Sequence, residues 1–407
     1  MTARPAYVII GASMAGATAA DTLRREGFDD PITLIGAEPD PPYERPPLSK
    51  GFLKGESTRD DVLLNPQDYY RDQSIDLRLG QTAAALDVGK KLVELDTGEK
   101  IPYSKLLIAT GATPRRLPVS GSDLEGIFYL RTLGDAAALR DALALKPRVV
   151  VIGAGFIGAE VAATARGLGC EVTVLEVLPV PLSRAIGDET GAIYAGFHRE
   201  QGVDLRTNEG IAHFVGASRL EAAVTNSGDT IPCDIALIGV GVAPAIGFLE
   251  SSGVEVNNGV VVDEYCRASV PDVFAAGDVA NWWHPTWQER LRLEHYDNAC
   301  NQAIAAARSM LGKGKPYAPV PYFWSDQYDL RLQYVGHASR WDEAVMRGTP
   351  AGRSFSVFYL LDRRLRACLM VNRPRDQRAA RRLVQTAEPV DAAQLRDETV
   401  DLDGLGR

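Results

Sequence analysis

A chain of 407 residues is long enough for two or three domains with ample core, and 45% hydrophobic with 24% charged residues describes an ordinary globular protein. Its formal net charge of -9 argues against a general nucleic-acid binder, which needs basic surface to neutralise phosphates. The five cysteines lie far apart, with no close pair and no histidine at zinc spacing, which excludes a conventional cysteine-held iron–sulfur cluster and a sequence-adjacent dithiol, and no metal site is expected.

No apolar run reaches membrane-spanning length, and a strand pattern follows directly on Met1-Thr2-Ala3-Arg4-Pro5, leaving no room for a targeting segment; the expectation is a cytoplasmic protein. That first strand, Tyr7 to Ile10, ends in a glycine-rich turn carrying Gly11, Ser13, Ala15 and Gly16, opens a helix, and is followed by a second apolar run closing on Glu38. This is the pattern of a dinucleotide site: Gly11 allows the tight turn, Gly16 lets helix and strand pack closely, and the helix N-terminus aims backbone N–H groups at a pyrophosphate. Glu38 is placed to accept from a ribose hydroxyl, and Ser13 stands where the pattern usually has its second glycine.

The proline-rich stretch Pro39 to Lys50 must be a rigid loop, because its prolines fix φ and remove donors. Arg45 and Lys50 on it are either phosphate and ring contacts or solvated surface charges. Residues 51–104 alternate short helical and strand patterns, with a hairpin turn at Asp96-Thr97-Gly98-Glu99. An apolar strand then stops on Ala109-Thr110-Gly111, small residues that let a planar ligand or a neighbouring backbone come close.

The first motif recurs at Val149 to Glu160, with Gly153, Gly155 and Gly158 all present and a second apolar run ending on Glu176, near the expected spacing of about 20 residues. Two such units in one chain make an accidental match untenable. The acid at 176 favours NAD(H), since a 2′-phosphate would meet a like charge; Arg184 is the nearest base. Another buried strand ends at Gly239 to Gly241, and Ala276-Gly277-Asp278 puts a short acid at a strand end, either as a helix N-cap or as acceptor for a sugar-alcohol chain. Glu294-His295-Tyr296 opens a helix of small residues suited to packing beneath a flat cofactor. Residues 363–382 carry eight arginines against Asp376 alone, either a landing site for an acidic partner or a solvated helix face with a turn.

Taken together, the Pro42 to Lys50 loop, the Ala109-Thr110-Gly111 strand end, the Gly153 to Glu160 fingerprint, the Ala276-Gly277-Asp278 turn and Phe323 to Gln327 closely resemble the NADH-dependent ferredoxin reductases of bacterial oxygenase systems. The resemblance covers nearly the whole chain. It implies an α/β fold with two Rossmann-like domains of the glutathione-reductase kind: an FAD domain at 1–114 and 245–320, an NAD(H) domain at 115–244, and a smaller α+β domain at 321–407 facing the flavin. It also implies hydride transfer from NADH to FAD, then single-electron transfers to a separate [2Fe–2S] ferredoxin serving a cytochrome P450 or a ring-hydroxylating dioxygenase.

Carried onto this chain, the resemblance places the first fingerprint, Glu38, Arg45, Lys50, the 109–111 strand end, Gly277, Asp278, Glu294, His295 and Tyr296 around FAD. It places Gly153, Gly155, Phe156, Ile157, Gly158, Glu160 and Glu176 around NADH, counts Arg131 and Gly241 among the cofactor contacts, and gives Lys50, Glu160 and Trp324 the catalytic positions. Three residues depart from the family's pattern: Tyr296 where tryptophan is common, Ala303 where glycine is common, and Val180 where an arginine is frequent. A disulfide reductase lacks its cysteines here; an apoptosis-inducing-factor-like protein acting through partners and a rubredoxin reductase are the alternative readings.

Overall fold

The computed structural model describes residues 6–66 and 68–406, so the five residues ahead of the first strand lie outside it. The chain divides into two compact units: up to Pro46 with Thr58–Thr113 and Val242–Pro319, and Pro47–Ser57 with Pro114–Gly241 and Val320–Arg407. No helix among the described residues is long and apolar enough to cross a membrane.

In the first unit, strand β1 (Ala6–Ile10) leads through helix α1 (Met14–Arg25) to β2 (Ile32–Gly36). β1 lies parallel between β2 and β3 (Lys100–Ile108), and Val273–Ala275 adds a further parallel strand on β3. Val8, Ile9, Leu34 and Leu106 to Ile108 are completely buried, as expected for strands covered on both faces. The helix Tyr296–Met310 packs against α1. Gly98 takes a positive φ, and its N–H bonds to the Leu95 carbonyl in the turn that pairs Leu92–Leu95 with β3.

The second unit repeats the construction. Strand β4 (Arg148–Ile152), helix α2 (Phe156–Gly167), strand β5 (Glu171–Glu176), helix α3 (Ser183–Glu200) and strand β6 (Ile235–Ile238) build an all-parallel sheet that also takes in Asp204–Thr207 and Ile127–Phe128. The same unit holds a five-stranded antiparallel sheet opening with β7 (Tyr322–Gln327) and covered by the helix Asp376–Thr386.

Sequence reasoning keeps residues 47–57 with the first domain, whereas the structure packs Pro47–Ser57 into the second unit. The reason is apolar. Phe52 and Leu53 are fully buried; Leu53 joins Leu139, Leu143 and Val161 in one core, and the Arg140 guanidinium lies 5.0 Å from the Phe52 ring centre. Thr164 on α2 donates to the Ser49 carbonyl at 2.9 Å and ties down the start of the segment.

The two strand–turn–helix units share one steric requirement. A Cβ on Gly16 would stand 1.8 Å from the Gly11 carbonyl oxygen, and one on Gly158 would stand 2.0 Å from the Gly153 carbonyl oxygen. Backbone cannot retreat as a flexible side chain can, so Gly158→Ala should destabilise the protein by roughly 1–3 kcal/mol in urea unfolding, as overpacking does. In the last turn of α3, His198 is 3% exposed and burial pushes its pKa down to about 4 despite the hydrogen bond it makes to the Gln327 amide oxygen. A histidine that resists protonation when folded stabilises fully above its unfolded value near 6.5 and loses that contribution as the pH falls through about 4. His198→Gln should therefore remove about 3 kcal/mol of the stability change between pH 7 and pH 4, read by urea unfolding at both pH values.

Candidate functional site

Each unit carries one uncapped, glycine-turned helix. The N-caps of α1 and α2, Ser13 and Gly155, make no side-chain cap bond, and neither helix has an acid in its first turn. Their leading N–H groups are thus left for an anion, which is the donor set a pyrophosphate needs. Gly11, at φ +111, presses against the Ala109 carbonyl, so the strand end 109–111 and the first turn are built as one piece. Thr110 donates from Oγ1 to the Ala245 carbonyl at 2.8 Å, and the Ala245 N–H donates to the Gly111 carbonyl. Around Gly155 no atom lies within 4 Å of where a Cβ would stand, so the second turn is open to close approach. Both units fit a dinucleotide.

The acids ending β2 and β5 are held differently. Glu38 accepts from Tyr43 Oη and from Arg45 Nη2, a half-buried cluster that fixes the proline-rich loop on the first unit. Burial opposes the charge on Arg45, but Tyr43, Glu38 and Asp278 outweigh it and raise its pKa. Asp278 is followed by the strand Ala280–His284 rather than by a helix, so it is no N-cap; its carbonyl accepts from Arg292, which pairs with Glu294 at 2.7 Å. Tyr296 donates to Glu44 at 2.9 Å, and His295 is the N-cap residue of the helix it opens. Glu176, by contrast, is bound by backbone: Oε2 accepts from Ala154 N–H at 2.7 Å and Oε1 from Leu178 N–H at 2.9 Å. Each oxygen keeps a further accepting position beyond that bond.

The most buried charge among these residues is on α2. Glu160, 3% exposed, accepts at Oε2 from Lys50 Nζ (2.6 Å) and Ser49 Oγ (2.5 Å), and at Oε1 from Ser325 Oγ (2.7 Å). The register explains the meeting. Phe156, Glu160 and Thr164 recur every four residues on one face of α2, and alternate residues Phe323, Ser325 and Gln327 line one face of β7. Phe156 and Phe323 meet edge to face at 4.9 Å, next to the Ser325 to Glu160 bond. Trp324 is on the other face of β7, 6.2 Å from Tyr322 between ring centres. Sequence reasoning missed Ser49 and Ser325; the available signal was two polar residues, Ser325 and Gln327, at positions of β7 that alternation assigns to the core.

Arg131 and Gly241 lie at the ends of strands of the second unit's sheet. The Arg131 N–H donates to Asp135, and Gly241, at φ +92, accepts from the Arg115 N–H. Ile157 is exposed beside Gly158 at the start of α2. The arginine-rich run is mostly spent within the fold. Arg373 pairs with Asp376 and Glu398, Arg378 with Asp403, and Arg364 and Arg382 donate to carbonyls of the C-terminal segment. Arg381 lies over the Tyr322 ring. Arg363 and Arg375 are exposed.

All five cysteines are free, four of them buried, and burial raises every one of their pKa values, Cys233 to about 12 and Cys300 to about 11. None is poised as a thiolate, and no two of them are joined in a disulfide.

Comparison with known proteins agrees with this geometry. The family model described as pyridine nucleotide-disulphide oxidoreductase matches residues 5–303, and the reductase C-terminal model matches residues 322–405. Rhodocoxin reductase of Rhodococcus erythropolis is 41% identical over 97% of this chain and 93% of its own length. The ferredoxin–NAD(+) reductase subunit of the benzene 1,2-dioxygenase system of Pseudomonas putida is 40% identical, covering 96% of this chain and 94% of that protein. Among solved structures, the covalent putidaredoxin reductase–putidaredoxin complex superposes with a TM-score of 0.95 at 35% identity, over 99% of this chain and 98% of that one. The chain is an oxidoreductase of the pyridine nucleotide-disulphide oxidoreductase family, and belongs among that family's FAD- and NAD(H)-dependent ferredoxin reductases.

Proposed function

We propose that this protein passes electrons from NADH through FAD to an acidic [2Fe–2S] ferredoxin that feeds a cytochrome P450 or a ring-hydroxylating dioxygenase. The observation that carries the reading is the buried Lys50–Glu160 pair on the helix bearing the second fingerprint, in a chain whose thiols are all held protonated. With no dithiol to take a pair of electrons, the exit is one electron at a time to an external carrier. Bound FAD supplies the hydride-accepting and one-electron chemistry. The chain's residues bind and orient.

In this reading residues 1–114 and 245–320 hold FAD, 115–244 hold NADH and 321–407 cover the flavin. The leading N–H groups of α1 and α2 receive the two pyrophosphates, with Arg45, stiffened by Glu38 and Tyr43, adding charge beside the first. Asp278 accepts from the ribityl chain, Glu160 and Lys50 orient the nicotinamide, and Trp324 lies at the flavin edge. Five free thiols suit the reducing cytoplasm.

Anaerobic stopped-flow absorbance of the purified protein tests the reading: NADH should bleach the flavin rapidly, and a [2Fe–2S] ferredoxin should then be reduced rapidly. A quick bleach followed by sluggish reduction of every ferredoxin would instead favour a protein that signals through its reduced, NAD-bound form.

Because Glu176 offers its free lone pairs to the adenosine ribose, Glu176→Ala should raise the KM for NADH at least about tenfold, the loss expected for a charged hydrogen bond, and improve relative use of NADPH. Unchanged selectivity between the two would remove that role. For docking, Arg363 and Arg375 are two of the run's four exposed arginines, with Arg364 and Arg378, and are the pair to test. Charge reversal at both should raise the ferredoxin KM several-fold at low salt and flatten its salt dependence, leaving reduction by NADH intact. A ferredoxin KM that does not move would place the docking surface elsewhere.

A further inference from the structure

Behind Ser325 the hydrogen bonds continue. Gln327 Nε2 donates to Ser325 Oγ at 3.2 Å, Gln327 Oε1 lies 3.0 Å from His198 Nε2, and His198 Nδ1 lies 2.8 Å from Tyr328 Oη. Ser325 and Gln327 are 0% and 1% exposed and His198 is 3% exposed, so these bonds are shielded from bulk water, and their donors are met within the protein. Tyr328, half-buried in the turn after β7, is the end that reaches solvent.

A sequence of hydrogen bonds shielded from bulk water and linked directly has only one consistent direction once one end is set. The Glu160 carboxylate has no hydrogen to give, so Ser325 must donate to it. Ser325 then accepts from the Gln327 amide nitrogen, the amide oxygen must accept from His198 Nε2–H, and His198 Nδ1 is left as the acceptor for the Tyr328 hydroxyl. We infer that Ser325, Gln327, His198 and Tyr328 form a directed relay of hydrogen bonds that positions the Glu160 carboxylate for its pairing with Lys50, and that Glu160 in turn dictates the tautomer of His198. The charged and titratable groups facing this relay are Lys50 at one end and His198 and Tyr328 at the other, with Arg166 near Tyr328. The positioning role rests on the reading of Glu160 as the residue facing the nicotinamide; the direction of the relay does not.

Glu160→Gln should reverse the whole relay. Lys50 and Ser49 would hold the new amide's oxygen, leaving its NH₂ to face Ser325. The serine then accepts, donates to a turned-over Gln327, and the Gln327 amide nitrogen donates to His198 Nε2. His198 must then carry its proton on Nδ1 and give it to Tyr328. With five histidines in the chain, the ring nitrogens of ¹⁵N-histidine-labelled, flavin-loaded protein can be assigned and followed at pH 7. The expected result is protonated Nε2 and bare Nδ1 at His198 in the parent, interchanged in Glu160→Gln. An unchanged His198 tautomer in Glu160→Gln would overturn the relay.

The positioning role is read in single-turnover hydride transfer. His198→Leu and Ser325→Ala should each slow it about tenfold with little change in NADH binding, and their combination should be no slower than either alone. His198→Gln, which keeps a donor toward Gln327 and an acceptor toward Tyr328, should stay within about twofold of the parent. Additive losses, a loss in His198→Gln equal to that in His198→Leu, or no loss in Ser325→Ala would overturn positioning; Ser325→Ala keeps this test open if the leucine variant does not fold. If Glu160→Gln itself transfers hydride at the parent rate, the assignment of Glu160 to the nicotinamide fails, while the tautomer experiment still decides the direction of the relay.

Discussion

A carboxylate at Glu160 is 3% exposed, and such a group is tolerated only if every accepting position near it is met by a donor. The fold meets that demand from three places in the sequence: the proline-rich segment supplies Ser49 and Lys50, the antiparallel sheet supplies Ser325, and α2 supplies the acid itself. Pro47–Ser57, the parallel sheet and the antiparallel sheet are one packed unit, and the polar cluster sits where these three meet. Removing one partner of such a pair strands the other in low dielectric, so the cluster binds its three sources together more firmly than any one surface ion pair would.

The two nucleotide units solve the same steric problem by the same means. In each, a helix is pulled against the strand before it until only hydrogen fits at the closing glycine, and in each the helix start is left without a side-chain cap. The acids that follow are used differently. Glu38 bonds to Arg45 and Tyr43 of its own loop, whereas Glu176 is oriented by backbone N–H groups. The first acid is held by side chains and the second by main chain.

The absence of a poised thiol separates this chain from the disulfide chemistry in its family's name. Four of the cysteines are small buried fillers and burial raises the pKa of all five, so none is held as a ready thiolate. Sequence reasoning reaches the same point from spacing alone, because two cysteines close in the chain are a local pattern. It reaches less far with the arginine-rich run: from the letters the run is a patch, yet Arg364, Arg373, Arg378 and Arg382 each bond to residues between 387 and 403, Arg364 and Arg378 while still exposed.

What the sequence by itself determined is everything set within one strand–turn–helix: both glycine turns, the acids that close them, the small-residue strand end at 109–111 and the rigidity of the loop before Lys50. These depend on φ restrictions and on contacts a few residues apart, which a linear pattern records. Only the tertiary structure decided where Pro47–Ser57 belongs, that Asp278 caps no helix, and which donors surround Glu160. Those outcomes turn on contacts between segments more than a hundred residues apart, such as Ser49 and Ser325 with Glu160, and on whether Phe52 and Leu53 find a cavity to fill. A serine on a strand looks the same in the sequence whether it faces water or a buried carboxylate; its partner is chosen by the packing of the strand against the helix.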